Sequence, residues 1–258
     1  MRNLAFRYFY YLVSAFFAIS ALPLLALPNR KPLSAWVRLY TQTMLFLMRM
    51  VAGVRVTVRG SDRLPSGPCV IAAKHQSWGD GFCLYSQLDD LAFVTGDHLE
   101  RFPLLSGILR KLGAVVVNNC GGVAARARLL DDNLRAARDE GRRILIYPEG
   151  HLAPIGRKYR YKRGVYHMYA AYNRPVVPVA TNLGLYWPQA RWDLTPGEAI
   201  VEILDPIEPG LGKEAFMARL ETAIETRSLE LLGDARPADA TPQTPALPDP
   251  RPQLAAGA

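Results

Sequence analysis

The pattern of hydrophobic positions divides the chain into an apolar beginning, an alternating middle and a polar end. No charged residue occurs in the stretch Tyr8–Asn29. Farther on, short apolar runs alternate with segments of helical periodicity, and the last residues contain many prolines and few apolar side chains. The pattern predicts a membrane-associated helical region at 1–53, a folded domain at 54–232 and a disordered Pro-rich tail at 233–258.

The first apolar stretch has the length of a membrane-spanning helix. Helices cross a bilayer core of about 30 Å with about 20 apolar residues, and basic residues flank this stretch on both sides. Tyrosines stand at its start, where an interfacial aromatic belt would lie. We therefore predict a transmembrane helix. Pro23 and Pro28 keep a re-entrant segment as an alternative, and a cleaved signal peptide is disfavoured because no good cleavage site follows.

A second apolar segment, Ala35–Val54, contains Arg38 and Arg49. Two arginines disfavour full insertion into a bilayer. The segment fits an interfacial amphipathic helix and an ordinary core helix equally well. Together the two apolar segments predict a membrane-docking hairpin ahead of the folded domain.

The middle of the chain has seven runs typical of strands and five segments typical of helices. The predicted strands are Val54–Arg59, Cys69–Ala73, Leu91–Val94, Ala114–Val117, Ile144–Tyr147, Val176–Thr181 and Ala199–Leu204. The predicted helices are Gly81–Leu88, Pro103–Leu112, Val123–Glu140, Val165–Tyr172 and Lys213–Leu232. Their alternation predicts an α/β fold with a largely parallel sheet flanked by helices.

The net charge restricts the kinds of partner that the chain can bind, and the cysteine content restricts the kinds of disulfide or metal site. Lys and Arg number 31 against 23 Asp and Glu, a net charge of +8, which suits anionic partners such as phospholipid headgroups or acidic carrier proteins. Nucleic acid is not expected as a partner, because no recognised binding module accompanies the charge. The three scattered cysteines predict neither a disulfide framework nor a zinc site. No metal and no cofactor is predicted.

Residues capable of chemistry follow two of the predicted strands. The first set is His75 and Asp80, in a loop after Cys69–Ala73. Ligands gather at such strand ends, and a histidine accepts protons near neutral pH. A continuous helix would place the two side chains about 140° apart, so a turn is needed for Asp80 to orient the imidazole. Taken alone, the pair fits a structural histidine better than a catalytic one.

The second set is the segment Tyr147–His151, which begins at the end of the strand Ile144–Tyr147. A carboxylate beside a glycine at a strand end can bind a hydroxyl or stabilise a loop. A basic stretch follows at 157–163, with tyrosines between the charges. It can hold phosphate or carrier-protein anions, or it is a solvated loop.

These motifs resemble the glycerolipid acyltransferases of the lysophosphatidate acyltransferase (PlsC-like) superfamily. His75 and Asp80 match the family's His-x4-Asp motif, the segment from Tyr147 to Gly150 matches its aromatic-Pro-Glu-Gly motif, and Val177–Ala180 matches its Val-Pro-Val-Ala-like strand. The order and spacing fit from Val54 to Asp205. The resemblance implies that His75 is the catalytic base and that Asp80 supports it.

The sequence departs from the family pattern at three places. Lys74 replaces the usual Asn before the histidine, Asn118 and Asn119 stand where an arginine ends the second motif, and His151-Leu152 replaces Thr-Arg. Both arginines commonly assigned to the acceptor phosphate are thus missing at their usual places. Either other cations replace them, or the acceptor headgroup is not a simple phosphate monoester.

The predicted site therefore combines both sets. The predicted catalytic residues are His75 and Asp80; the predicted substrate-binding residues are Lys74, Glu149, Gly150, His151, Arg157 and Lys158. The resemblance implies acyl transfer from acyl carrier protein or acyl-coenzyme A to a lyso-lipid hydroxyl, most simply 1-acyl-glycerol-3-phosphate to phosphatidate.

Several alternatives to this function stay open. They are a different lyso-lipid acceptor such as a lyso-aminolipid, a membrane-bound hydrolase or transacylase, and a non-catalytic lipid-binding relative. The absence of a G-x-S-x-G sequence disfavours a serine hydrolase. We expect association with membrane phospholipids, at the inner (cytoplasmic) membrane if the chain is bacterial, with the active site facing the cytoplasm.

Overall fold

The computed structural model describes residues 1–96, 103–117, 132 and 134–233 of the chain. Within these ranges seven strands form one mixed sheet in the order β1-β7-β6-β2-β5-β3-β4. The strands are β1 Val54–Arg59, β2 Val70–Ala73, β3 Ala92–Gly96, β4 Val115–Val117, β5 Ile144–Ile146, β6 Val176–Thr181 and β7 Gly197–Ile203. Neighbouring strands are parallel except β6 and β7, so β7 and β1 run against the other five. The predicted α/β fold with a largely parallel sheet is confirmed.

The helices after β1 stand close to their predicted positions, whereas the N-terminal helices differ from the prediction. They are α1 Arg2–Ser20, α2 Leu22–Leu25, α3 Lys31–Leu47, α4 Asp80–Tyr85, α5 Pro103–Lys111, α6 Gly164–Tyr172 and α7 Lys213–Leu232. A π-helical turn, Met48–Ala52, carries α3 into β1. Most of the predicted helix Val123–Glu140 lies outside the described residues, and its described part is helical at 134–139. The predicted tail also lies outside them, apart from Gly233.

Both faces of the sheet are covered, which explains why its strands read as continuous apolar runs. Alternate residues of β2 face opposite sides. Ile71 and Ala73 pack with the N-terminal helices and α4. Val70 and Ala72 pack with α6 and α7 on the other side. All four β2 residues are consequently buried.

The expectation of a transmembrane helix is not met. The apolar stretch Tyr8–Asn29 does not form one helix, because α1 ends at Ser20 and Pro23, which lacks an amide hydrogen, lies at the start of the short α2. None of the helices in the described parts of the chain has both the length and the hydropathy needed to cross a bilayer.

The N-terminal helices instead pack on the folded domain by one face. Phe6 and Phe17 are the buried side chains of α1, and the Phe6 ring meets the edge of Trp187 at 5.5 Å. Large apolar side chains cover the opposite face and are exposed. They include Leu4, Tyr8, Leu12, Phe16 and Ile19 of α1, Leu22 of α2, and Leu39 and Phe46 of α3. We call this surface the exposed apolar face.

An ion-pair cluster fastens the start of α3 to the sheet. The guanidinium of Arg30 donates two hydrogen bonds of 2.8 Å to Asp90 and lies 2.7 Å from Glu140. Arg142 approaches the same Asp90 carboxylate at 3.3 Å from the sheet side. The Asp90 carboxylate therefore joins the N-terminal helices to the folded domain.

Candidate active site

Two loops meet at one edge of the sheet and form the candidate site. β2 and β5 are adjacent and parallel, so the segments that follow them emerge side by side. The backbone of His75, just beyond β2, is held by the loop beyond β5 from both sides. Its N–H donates to Glu149 Oε2 at 2.8 Å, and its carbonyl accepts the N–H of Ala153 at 2.7 Å.

A turn at 77–80 brings His75 and Asp80 together. Asp80 is the first residue of α4, and its Oδ2 lies 3.0 Å from Nδ1 of the imidazole. The same oxygen accepts the backbone N–H groups of Gln76 at 2.7 Å and Ser77 at 2.8 Å. These two donors stabilise the carboxylate, which in turn accepts the Nδ1 proton. The arrangement selects the Nδ1–H tautomer and leaves Nε2 with the lone pair that can accept a proton.

The ring of Tyr147 forms the floor beneath the imidazole. The two rings stack at a centroid distance of 3.9 Å and an angle of 16°. The phenol oxygen is buried and has no hydrogen-bond partner among the described residues. Burial, reinforced by the charge of Asp80, raises the pKa of Tyr147 well above its usual value, so the phenol stays neutral. Tyr147 thus offers the imidazole an aromatic face rather than a proton.

Lys74 lies in the interior and does not reach the solvent. Its side chain is 1% exposed, and its ammonium lies 2.5 Å from Glu149 Oε1 and 2.7 Å from Glu225 Oε1. The Tyr161 hydroxyl donates to the same Glu225 oxygen at 2.8 Å. We call these four residues the Lys74 cluster. In this arrangement the positive charge of Lys74 pairs with buried carboxylates and not with a group in the solvent.

The charges of the Lys74 cluster depend on one another. Burial disfavours the Lys74 ammonium, but the charges of Glu149 and Glu225 outweigh it, so the pKa of Lys74 is raised and the side chain stays protonated. Burial also raises the pKa of Glu149, and the Lys74 charge opposes that rise. The ion pair is therefore what allows a fully buried Glu149 to act as an anionic acceptor.

The other predicted site residues lie along the loop after β5. Gly150 has a positive φ of 72°, and a side chain there would contact the stem of Lys162. The ring of half-buried His151 meets the edge of Tyr159 at 4.3 Å. Arg157 and Lys158 are exposed, and Lys158 lies 2.7 Å from Glu221 of α7. The structure thus separates a buried part of the set from an exposed basic part.

Two residues of the site were missed by sequence reasoning. Glu225 follows the buried side chains Phe216, Leu220 and Ile224 of α7. Sequence reasoning missed it because a glutamate in a helix is normally expected to be exposed to solvent. Tyr161 belongs to the basic stretch and is therefore not expected in the buried part of the site. The sequence signal for a buried Glu225 is its position, because it follows apolar residues that recur every four positions along the helix.

Two further features bear on metal binding and on the second motif. Within the described ranges, no group of three or more His, Cys, Asp or Glu side chains is arranged to hold a metal ion. Asn118 and Asn119, the departure in the second motif, lie outside the described residues.

Comparison with known proteins gives one consistent relationship. Residues 55–182 match the sequence model of the Acyltransferase family. The 1-acyl-sn-glycerol-3-phosphate acyltransferase of Pseudomonas aeruginosa is 32% identical over 177 residues, which are 69% of this chain and 68% of that protein. The lyso-ornithine lipid O-acyltransferase of the same organism is 29% identical over 123 residues, 48% of this chain and 43% of that protein.

A solved structure agrees with this relationship at the level of the fold. The crystal structure of the 1-acyl-sn-glycerophosphate acyltransferase PlsC from Thermotoga maritima superposes with a TM-score of 0.71 and 21% identity, covering 90% of this chain and 98% of that one. The fold shared with PlsC, the matched family model and the 32% identity to the Pseudomonas aeruginosa acyltransferase agree with the resemblance drawn from the motifs. The chain belongs to the PlsC-like acyltransferase family and is an O-acyltransferase.

Proposed function

We propose that the chain transfers a fatty acyl group from an acyl thioester to the free hydroxyl of a lyso-lipid, most simply converting 1-acyl-glycerol-3-phosphate to phosphatidate. The observation that carries the proposal is the 3.0 Å contact between His75 Nδ1 and an Asp80 carboxylate that two backbone N–H groups hold in place. It gives a base of fixed tautomer at the edge of the sheet. The names of the relatives support the substrate class.

The chemistry follows from the tautomer. Nε2 of His75 accepts the proton of the lyso-lipid hydroxyl as its oxygen attacks the thioester carbonyl carbon. The new C–O bond forms, the C–S bond breaks, and the leaving thiolate takes the proton from the imidazolium. Asp80 holds the ring and stabilises its positive charge throughout. No acyl-enzyme is required, because the acceptor itself is the nucleophile.

The test is transfer of a labelled acyl group by the purified protein. Wild type should acylate 1-acyl-glycerol-3-phosphate from acyl carrier protein or from acyl-coenzyme A. His75→Ala should lower kcat by about 10³-fold or more, within the range that general-base catalysis supplies. Release of free fatty acid without acceptor would instead support a hydrolase, and full activity of His75→Ala would refute the mechanism.

A lyso-aminolipid acceptor is the second candidate. It is favoured by the burial of the Lys74 ammonium between two glutamates and by Leu152 at a usual arginine position. A lyso-ornithine lipid O-acyltransferase also stands among the relatives. A panel of lyso-lipids decides the matter: a kcat/KM for a lyso-ornithine lipid above that for 1-acyl-glycerol-3-phosphate would make the aminolipid the substrate.

We assign donor binding to the exposed basic residues after β5, Arg157 and Lys158 among them. Both acyl carrier protein and coenzyme A present anionic groups, and these side chains are exposed near the loop that holds His75. Neutralising Arg157, Lys158 and Arg160 together should raise the KM for the donor severalfold at low salt, and less at high salt. An unchanged KM would reject this assignment.

The exposed apolar face is proposed to dock on a phospholipid surface. It carries large side chains on three consecutive helices, including Phe16 at 58% and Ile19 at 63% exposure, and an accumulation of exposed large apolar side chains marks an interaction surface. We expect the docked enzyme to face the cytoplasm. Phe16→Asp with Ile19→Asp should abolish co-flotation with anionic phospholipid vesicles, whereas Asp205→Asn, which changes an exposed carboxylate beside Arg63 of the folded domain, should not. Retained flotation of the double variant would contradict the proposal.

A further inference from the structure

Lys74 and His75 are neighbours in sequence, but their side chains have separate partners. The His75 ring contacts Tyr147 and Asp80 at the candidate site. The Lys74 ammonium is enclosed by Glu149 and Glu225. A phosphate from solvent could approach this ammonium only by displacing a carboxylate already within 2.7 Å.

Glu149 joins the two neighbours. Its Oε1 pairs with the Lys74 ammonium at 2.5 Å, and its Oε2 accepts the backbone N–H of His75 at 2.8 Å. Glu225 in turn accepts from both Lys74 and Tyr161. A continuous path of contacts therefore leads from α7, through Lys74 and Glu149, to the backbone of His75.

The charge balance gives this path a function. Glu149 is 0% exposed, and an ionised carboxylate in such a place needs a nearby cation. Lys74 supplies it. Without that cation, Glu149 would take up a proton or turn away, and it would become a weaker acceptor for the His75 N–H. The His75 backbone would then shift relative to Asp80, whose own position depends on the adjacent backbone N–H groups.

We infer that Lys74 and Glu225 are positioning residues for His75, acting through Glu149, and that Lys74 is not a ligand of the acceptor headgroup. The inference rests on the proposed role of His75 as the base. It assigns the α7 helix a part in the reaction through Glu225.

Steady-state kinetics separate a positioning residue from a ligand. Lys74→Met should lower kcat by about 10²-fold, the loss expected from misplacing a catalytic group by about 1 Å, with little change in the KM for the lyso-lipid. If Lys74 binds the headgroup instead, the KM rises and kcat is largely kept, which would overturn the inference. The matched control is Arg227→Gln, which removes a different ion pair between α7 and the sheet, Arg227 to Glu202 at 2.8 Å. It should stay within about twofold of wild type.

A second substitution tests the charge balance and guards against simple misfolding. Lys74→Met leaves Glu149 and Glu225 buried without their cation, and Glu225→Gln removes one of those two charges. The double variant should therefore recover about tenfold in kcat over Lys74→Met and melt at a higher temperature. A double variant as slow as the single one, or slower, would contradict the inference.

The imidazole itself provides a readout that does not depend on activity. Nitrogen NMR of the labelled protein should show the Nδ1–H tautomer of His75 in wild type and in Arg227→Gln, with the signals identified by their loss in His75→Ala. Lys74→Met should show a mixture of tautomers. An unchanged tautomer in Lys74→Met would reject positioning. Full activity of His75→Ala, by contrast, would refute the proposed base while the NMR result still reported on the Lys74 cluster.

Discussion

At the scale of the residue, the proposed chemistry depends on the contacts between one imidazole and its neighbours. Asp80 fixes the tautomer of His75 from one edge, and the Tyr147 ring lies under its face. An aromatic face attracts a cation, so Tyr147 should favour the imidazolium that forms when His75, as the proposed base, takes up a proton. The sequence shows only how far apart these residues stand in the chain, and it does not show either contact.

The ring of Tyr147, and not its hydroxyl, is expected to matter. Tyr147→Phe should keep kcat/KM within about twofold, because the hydroxyl is buried without a partner among the described residues. Tyr147→Leu should lose about 1 kcal/mol of transition-state stabilisation, roughly fivefold in kcat/KM. Steady-state kinetics of both variants measure these changes, and a Tyr147→Leu variant as active as wild type would contradict the role of the ring.

At the scale of elements, Asp90 supplies an ion-pair connection between the N-terminal helices and the sheet, in addition to the apolar packing of α1. Asp90 accepts two hydrogen bonds from Arg30 and lies near Arg142. It also has a positive φ of 51°, a backbone conformation that Asp and Asn tolerate better than other side chains. Charge and backbone conformation can therefore be tested separately at this position.

Asp90→Asn should lower the free energy of unfolding by about 1–2 kcal/mol, because it leaves two arginines without their shared carboxylate. Asp90→Ala should cost about 1 kcal/mol more, because alanine adopts positive φ less readily. Denaturant titration measures both. The matched control is Asp89→Asn, whose carboxylate pairs with Arg38 and is 81% exposed, and it should change stability by less than about 0.5 kcal/mol. Equal losses for the two Asp90 variants would refute the backbone contribution.

At the scale of the whole molecule, burial of weak acids makes stability depend on alkaline pH. Burial raises the pKa of the Cys69 thiol to about 11 and that of Tyr172 to about 12. Desolvation likewise raises the pKa of Cys83 and Tyr85. Because these pKa values are higher in the folded chain, the unfolded chain loses its protons first as the pH rises. The stabilising contribution is complete below the unfolded pKa values of about 9 for thiols and about 10 for phenols, and it is lost above them.

We therefore expect the free energy of unfolding to fall steeply above about pH 9. Tyr172→Phe should make the decline between about pH 10 and pH 12 shallower by up to about 1.4 kcal/mol per pH unit, which is the contribution of one proton. The variant also loses the hydrogen bond from the hydroxyl to the Arg142 carbonyl, so its stability at pH 7 should be lower than that of wild type. Urea titrations at several pH values measure the slope. Parallel curves for the two proteins would contradict the assignment to Tyr172.

Local patterns were sufficient to predict most of the regular structure. β1, β6 and α7 have the predicted bounds, because their apolar runs end at sharp polar or glycine boundaries. The first helix differs most from its prediction. Composition alone could not show that α1 stops at Ser20 and buries one face on the folded domain, since an apolar stretch satisfies a bilayer and a protein core equally well.

The sequence by itself determined the order of the strands along the chain, the two loops of the candidate site and the family to which the chain belongs. These depend on the spacing of residues along the chain and on local backbone preferences. Only the tertiary structure decided that Lys74 turns inward to Glu149 and Glu225 rather than outward to a substrate. The residues of this cluster are separated by as many as 151 positions in the chain. The packing of α7 on the sheet determines which acidic side chains neutralise Lys74. No local pattern in the sequence contains that information.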